Sequence, residues 1–431
     1  MKTALAKWSG RLSPYRVYTN AFALMLSAAG SGILGIAYWS ISAHLTTQKS
    51  VGRAAAEIAA ITLLASLSQL SFGSVFQRYL PGAADKATSL VVTAYSICLG
   101  LSLVIATGYS ALGFAKRFFD PSFKWDALFI VTVMIYTIFA LQDSVLVSLR
   151  VSRWVAVENN LFGVAKIALL LPLATYATGQ GIVISWTIPL LATIGVVNWY
   201  IFRHRLPNHM RESKISEPLP NLRKIVGLAI PQYTTSILSI FTTSVVTLIV
   251  IARKGAVENA YYYLAAQISA APIILIWSVS KLFIVEASHE PHAIRRLVGQ
   301  AATAMTAVVV TGMAIGIIFA HQLLSVFGTT YADQGTTLLR LLLLALPGAA
   351  VAALYVAFAW IDGRVWYLMI REGVTMLVFL AIVLAFIGSH GINAVGYAAV
   401  ATSGVEFLLF LPILIRRIRA IPPTIVEPTA P

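Results

Sequence analysis

Between Asn20 and Ile415 the sequence is a succession of apolar runs of about 20 residues, separated by short polar loops. A helix that is apolar all round has no face to give to water, and a chain made of many such helices has the lipid bilayer as its solvent. Charged residues make up 11% of the chain and hydrophobic ones 58%, where a soluble domain carries roughly a quarter charged. Twelve spans follow from the pattern, at residues 20–43, 54–77, 88–112, 127–148, 155–177, 182–202, 225–251, 258–285, 297–320, 335–358, 365–387 and 392–415. At about 1.5 Å per residue, each is long enough to cross a hydrocarbon core of about 30 Å.

The longest interior break in the pattern is Arg203–Lys224, polar, basic and Pro-containing, close to the midpoint. It divides the chain into a basic N-terminal segment 1–19, a six-helix bundle 20–202, a linker 203–224, a second six-helix bundle 225–415 and a tail 416–431. The run at 21–43 is too long for a signal-peptide core and is read as the first span. The net charge of +15 is explained by loop placement rather than by nucleic acid. Lys and Arg crowd at the termini and in the even-numbered loops, while the odd loops carry only Lys49, Arg53, Lys116, Arg117, Lys124, Arg253 and Lys254. The positive-inside rule therefore puts both termini and the linker in the cytoplasm. The halves echo each other: a long span, a short basic loop, then a Glu (Glu57, Glu258). That is a weak parallel repeat of six plus six.

Polar residues inside spans are costly in lipid, so their helical phase is informative. The first span places Ser27, Ser31, Gly35, Tyr38 and Ser42 on one face, and the second Thr62, Ser66, Gln69 and Gly73. The seventh places Gln232, Ser236, Ser239 and Thr243 together, and the eighth, more loosely, Tyr263, Gln267, Ser278 and Lys281. Each stripe alone is compatible with close helix packing. Four at matched positions in both halves point to a shared hydrophilic cavity. Lys166, near the middle of the fifth span, either faces that cavity and attracts an anion or pairs with Asp143 or Glu158. Glu406 either titrates or binds Na⁺, or is a hydrogen-bonded structural carboxyl. Arg371 and Glu372, adjacent in sequence, are expected to point in different directions.

Other chemistries find no support. The seven His lie in loops or at span ends without metal-ligand spacing, Cys98 is the lone cysteine, and no phosphate-binding Walker motif or Ser/His/Asp arrangement is present. Neither a metal nor an organic cofactor is expected.

Four segments carry a resemblance. These are LLASLSQLSFGSVFQRYLP in the second span, LQDSVLVSLRVSRWVAVENNLFGVAKIALL across the fourth and fifth, AYYYLAAQISAAPIILIWSVSKLFIVEASHE in the eighth and FGTTYADQGTTLLRLLLLALPGAAVAALYVA in the tenth. In order and spacing they resemble the Wzx-like polysaccharide flippases of the multidrug/oligosaccharidyl-lipid/polysaccharide exporter superfamily. That resemblance implies an all-α membrane protein of two six-helix bundles around a central cavity lined by spans 1, 2, 7 and 8. It also implies movement of a polyprenyl-diphosphate-linked oligosaccharide from the cytoplasmic to the outer leaflet of a bacterial cytoplasmic membrane, beside glycan polymerases or other assembly proteins. Phase and charge then nominate Lys166, Arg78, Lys281, Arg340 and Arg371 for the diphosphate. They nominate Ser27, Ser31, Gln69, Gln232, Ser236, Thr243 and Gln267 for the sugar and cavity wall, and Glu406 and Asp143 for a coupling Na⁺ or H⁺. The rivals are an organic-cation antiporter of the same fold, disfavoured by an expected excess of basic over acidic candidates in the spans, and a peptidoglycan-precursor flippase. An enzyme is not expected, because no outer loop is long and the first, HLTTQKSVGR, has no carboxylate.

Overall fold

A computed structural model describes residues 14–115, 123–176, 180–212 and 222–420, and every regular element in it is helical. Twelve helical spans follow one another: α1 (Pro14–Leu45), α2 (Gln48–Ser68 and, after a break, Phe72–Tyr79), α3 (Ala87–Ala111), α4 (Phe123–Ser148), α5 (Ser152–Tyr176) and α6 (Gly181–Tyr200) form the first half. The second half is α7 (Leu222–Lys254), α8 (Ala256–His289), α9 (Ile294–Ile318), α10 (Thr329–Leu344 and Leu346–Ile361), α11 (Val365–His390) and α12 (Asn393–Ala420). Among the described residues, 11 spans are long and apolar enough to cross a membrane, the first of them starting at Gln48. Helix α1, 32 residues long, precedes them.

The halves are built alike. In the first, α1 packs on α5, α2 on α4, α4 on α6 and α5 on α6. In the second, α7 packs on α11, α8 on α10, α10 on α12 and α11 on α12. The repeat seen in the loops is thus a repeat of packing. Its Glu echo is not: Glu57 is buried well inside α2, whereas Glu258 sits in the first turn of α8. Each expected segment boundary shifts, and α7 begins at Leu222, inside the 203–224 linker. α1 begins at Pro14, inside the 1–19 segment, and α12 runs on to Ala420. The linker is helical at its start, because α6 continues through a wide turn at Ile201–Arg205 into a short helix, Leu206–Glu212; residues 213–221 lie outside the described ones.

Two spans break. In hydrocarbon a carbonyl freed from its helix has no water to bond, so another group must donate to it. At the break in α2, Leu70 and Ser71 take left-handed backbone angles (φ 46° and 60°). The Leu67 carbonyl accepts from the Tyr233 hydroxyl of α7 at 2.7 Å, while the Gln69 carbonyl accepts from the Phe72 N–H at 2.8 Å and also faces the Cys98 thiol at 3.7 Å. At the break in α10 the Ala345 carbonyl accepts from the Ala349 N–H at 3.2 Å and takes a second bond from Ser403 of α12. Span ends are treated the same way: Arg340 Nε donates to Ile317 at the end of α9 (3.1 Å), and Lys254 Nζ to Gly388 near the end of α11 (2.9 Å).

The halves meet most closely where α2 and α8 start, at the end of the bundle opposite the linker. Asn259 Nδ2 donates to the Gly52 carbonyl at 2.7 Å, Tyr261 bonds Gln48 at 3.2 Å, Ser40 bonds the Val326 carbonyl at 2.8 Å, and Trp39 meets Tyr263 edge-on at 4.8 Å between ring centres. Gly52 is required there, since a Cβ on it would lie 1.7 Å from the Ala256 carbonyl oxygen. Both partners in that clash are backbone, so neither can swing aside. Gly52→Ala is therefore expected to part the halves at this end and to cost about 1–3 kcal/mol as overpacking. The check is a Cys98→Ser background carrying Gln48→Cys and Tyr261→Cys: a short bifunctional maleimide should link the pair, and Gly52→Ala should abolish the link and lower the melting temperature.

Candidate functional site

Lys166 organises the site. On α5, Val157, Leu161, Val164 and Leu171 are exposed and mark the lipid face. Lys166 is two residues beyond Val164, about 200° around the helix, so it points into the bundle. Gly163 and Gly30 let α5 and α1 approach closely, as Cβ atoms there would meet Leu34 at 2.7 Å and Asn160 at 2.4 Å. The ammonium consequently lies over two rings, Tyr38 of α1 at 4.8 Å and Phe162 at 5.2 Å from the ring centres. Tyr38 is itself locked, with its hydroxyl donating to the Ile182 carbonyl at 2.7 Å and lying 2.9 Å from Ser185 Oγ. From Tyr38 the rings continue through Trp39 to Tyr263 of α8. Gln267, one turn on from Tyr263, is half-buried. Lys166 therefore sits at the first-half end of an aromatic chain that reaches the seam between the halves.

Neither carboxylate considered as a partner for Lys166 reaches it, and no ion pair joins it to a described residue. Glu158 is eight residues away, about 12 Å along the helix. A lysine inside a membrane span costs roughly 2.5–3.5 kcal/mol, and a cation–π contact returns about 0.5–2 kcal/mol. The ammonium is left undercompensated and can take an anion.

Asp143 and Glu158 belong to a separate network between α4, α5 and α6. Asn159 Nδ2 donates to Asp143 Oδ2 (3.4 Å), Gln142 Nε2 to Glu158 Oε1 (3.4 Å) and Asn198 Nδ2 to Gln142 Oε1 (2.8 Å). The remaining oxygens, Asp143 Oδ1, Glu158 Oε2 and Asn198 Oδ1, are buried without a partner. Two carboxylates with no base among their partners are a place for a proton or a small cation. The sequence reading found Asp143 but missed Gln142 and Asn198, which carry no signal beyond being amides in apolar runs.

The second half holds its charge differently. Arg371 Nη2 meets Glu406 Oε1 at 2.5 Å and Nη1 meets Glu372 Oε2 at 3.2 Å, while Thr375 donates to the same Glu406 oxygen at 2.9 Å. This corrects the expectation that Arg371 and Glu372 diverge: side chains long enough to bend toward a shared neighbour meet despite their adjacent positions. The guanidinium is committed to carboxylates and Glu406 is engaged twice, so neither is free for diphosphate or cation as the protein stands. Arg340 is committed to the Ile317 carbonyl. Arg78 is exposed at the end of the second α2 segment, near the Tyr79 ring, and Lys281 is exposed on α8. The five basic candidates are therefore not gathered into one site.

Of the cavity-wall candidates, Ser236 and Thr243 are exposed on α7, with Ser239 on the same face, and Ser31 and Gln69 are half-buried. Ser27 and Gln232 lie outside the described side chains. The expected excess of bases over acids also fails. The most deeply buried charged side chains are Glu57 and Glu158, at 5% and 2% exposure. Counting charges does not separate an anion carrier from a cation carrier. A distinct apolar groove of about 460 Å³ runs between α8, α9 and α10, lined by Pro272, Leu275, Val308, Gly312 and Ile315 among others, and is open to hydrocarbon.

Solved structures share this fold. The lipid II flippase MurJ in an inward closed conformation matches with a TM-score of 0.68 at 14% identity, over 92% of this chain and 89% of that one. The MATE multidrug transporter DinF-BH matches with a TM-score of 0.66 at 13% identity, over 96% and 98%. A MOP superfamily transporter from Pyrococcus furiosus, described as having a binding pocket of reverse polarity, matches at 0.60 and 16% identity, over 94% and 96%. Identities this low establish the common fold and nothing about cargo. No family model matches the sequence, and no curated protein matches it either.

Replacing Glu406 by Ala removes the shorter of the two carboxylate contacts of Arg371 and leaves Glu372 as its partner. The expected cost is about 1.5–3 kcal/mol, as for one hydrogen bond to a charged group, while replacing Glu372 as well should cost more, because the guanidinium then has no carboxylate beside it. Thermal unfolding of the purified variants in one detergent checks both.

Proposed function

We propose that the protein is a flippase that moves a polyprenyl-diphosphate-linked oligosaccharide across a bacterial cytoplasmic membrane, with both termini in the cytoplasm. The observation that carries the reading is Lys166, an ammonium held inside the first half against aromatic rings and in no ion pair with a described residue. A diphosphate is the complementary group: its charge-assisted hydrogen bonds are strongest where water is scarce. The hydroxyls of Ser236, Ser239 and Thr243 and the amides of Gln69 and Gln267 suit sugar hydroxyls in the same passage. The isoprenoid tail stays in the bilayer.

Movement follows by alternating access. The seam at Gly52, Ala256 and Asn259 is the closed end in this conformation, and rocking of the halves would transfer closure to the other end. The Asp143–Glu158 network is the place where a coupling Na⁺ or H⁺ would bind and be released. No covalent bond changes in this scheme. Glycan polymerases and other assembly proteins are the expected partners downstream.

The shared fold leaves a drug exporter and a peptidoglycan-precursor flippase as the competing readings. In cells depleted of the protein, lipid-linked glycans should accumulate on the cytoplasmic leaflet, as scored with a membrane-impermeant probe. Wild type should restore outward transfer. Lys166→Ala at equal membrane abundance should lower it at least about tenfold, the equivalent of one lost charge-assisted contact, with Lys166→Arg retaining part. Unchanged lipid-linked glycans together with organic-cation efflux would replace this reading by the exporter.

A further inference from the structure

A second basic site lies away from Lys166, where α10, α11 and α12 end together on the side of the linker and the C-terminus. It is a pocket of about 250 Å³. Its floor is apolar: Phe358 and Leu414 are buried, and Tyr355 is stacked on Phe410 with ring centres 4.2 Å apart. Its rim is charged. Arg417 lies over the Phe358 ring at 4.5 Å and is held by Asp362 through both guanidinium nitrogens. Arg364 also lines the pocket and is exposed, and its side chain forms no hydrogen bond or ion pair with a described residue.

Three features converge there. First, the rim is net positive: Asp362 answers Arg417 and leaves Arg364 over, and Arg419 follows on the last turn of α12. Second, Arg364 is the N-cap of α11, a 26-residue helix, so the positive end of its dipole opens at the rim. Third, Trp360, Trp366 and Tyr367 around the pocket are 40%, 57% and 62% exposed. Large amphipathic rings exposed at span ends mark the depth of lipid headgroups. An apolar floor below a basic rim at that depth fits an amphiphile with an anionic head.

We propose that this pocket binds the phosphate head of a membrane lipid, with Arg364 as the principal contact and Arg417, oriented by Asp362, as the second. The chemistry is common to an anionic phospholipid of the bilayer and to a polyprenyl diphosphate, and the proposal stands whichever cargo the protein carries. Bound there, a lipid would tie the ends of α10, α11 and α12 together.

The test uses the full chain purified in detergent and offered phosphatidylglycerol and phosphatidylcholine in equal amounts, with retained lipid counted by native mass spectrometry. Wild type should retain phosphatidylglycerol preferentially, by about fivefold for one arginine at the interface. Arg364→Ala should bring the two lipids level, and Arg364→Lys should keep most of the preference. Because Arg364 is exposed, the variant should melt with wild type, and a thermal scan verifies that. Displacement of phosphatidylglycerol by a polyprenyl diphosphate would identify the diphosphate lipid as the preferred occupant, and no displacement would identify the phospholipid. Equal retention of the two phospholipids by wild type, an unchanged preference in Arg364→Ala, or displacement by inorganic pyrophosphate as efficient as by the lipid would each overturn the proposal.

Discussion

In hydrocarbon no backbone carbonyl can be left to water, and the irregular parts of this structure depend on that constraint. An unbroken span satisfies itself. A break does not, and at both breaks here a side chain of another helix bonds the backbone: Tyr233 meets the Leu67 carbonyl of α2, and Ser403 adds a second bond to the Ala345 carbonyl of α10, which the Ala349 N–H also serves. The donors are what place the helices. Tyr233 ties α7 to α2 across the halves, and Ser403 brings α12 against α10, where Gly348 leaves room for it. Arg340 and Lys254 serve span ends in the same way, so that Arg340, a ligand candidate in the sequence, is a cap in the structure.

The same solvent sorts the charges. Arg371 in the second half is surrounded by Glu372, Glu406 and Thr375, and the cluster keeps its own charges company. Lys166 in the first half lies over two rings and forms no ion pair with a described residue. Identical packing in the two halves, with α1 on α5 and α7 on α11, therefore holds different side-chain chemistry: an ion cluster on one side and a lysine over aromatic rings on the other. The repeat gives the architecture, and the charged side chains depart from it.

The seam between the halves is asymmetric along its length. Near the starts of α2 and α8 the backbones touch at Gly52 and Ala256, a distance only glycine permits. Farther along, α7 packs against both segments of α2, and the Tyr233 hydroxyl donates to the Leu67 carbonyl. A contact made by backbone at one end and by side chains elsewhere is the kind of arrangement on which two rigid halves can rock, since the tight end is specific and the rest adjustable.

Sequence by itself determined the solvent and the succession of long apolar helices. Apolar runs of about 20 residues and the spacing of Lys and Arg are local properties that no tertiary contact overrides. It also determined that Lys166 lies inside a span. It did not determine partners, because a partner is set by which helix faces which. Arg371 pairs with Glu406, 35 positions away, and Asn198 reaches Gln142, 56 positions away; neither separation has a helical period to betray it. The breaks in α2 and α10 were hidden for a related reason: Leu70, Ser71 and Ala345 are ordinary in composition, and the side chains of α7 and α12 that bond the backbone there come from distant parts of the chain. Tertiary structure decided which charges are answered by which neighbours.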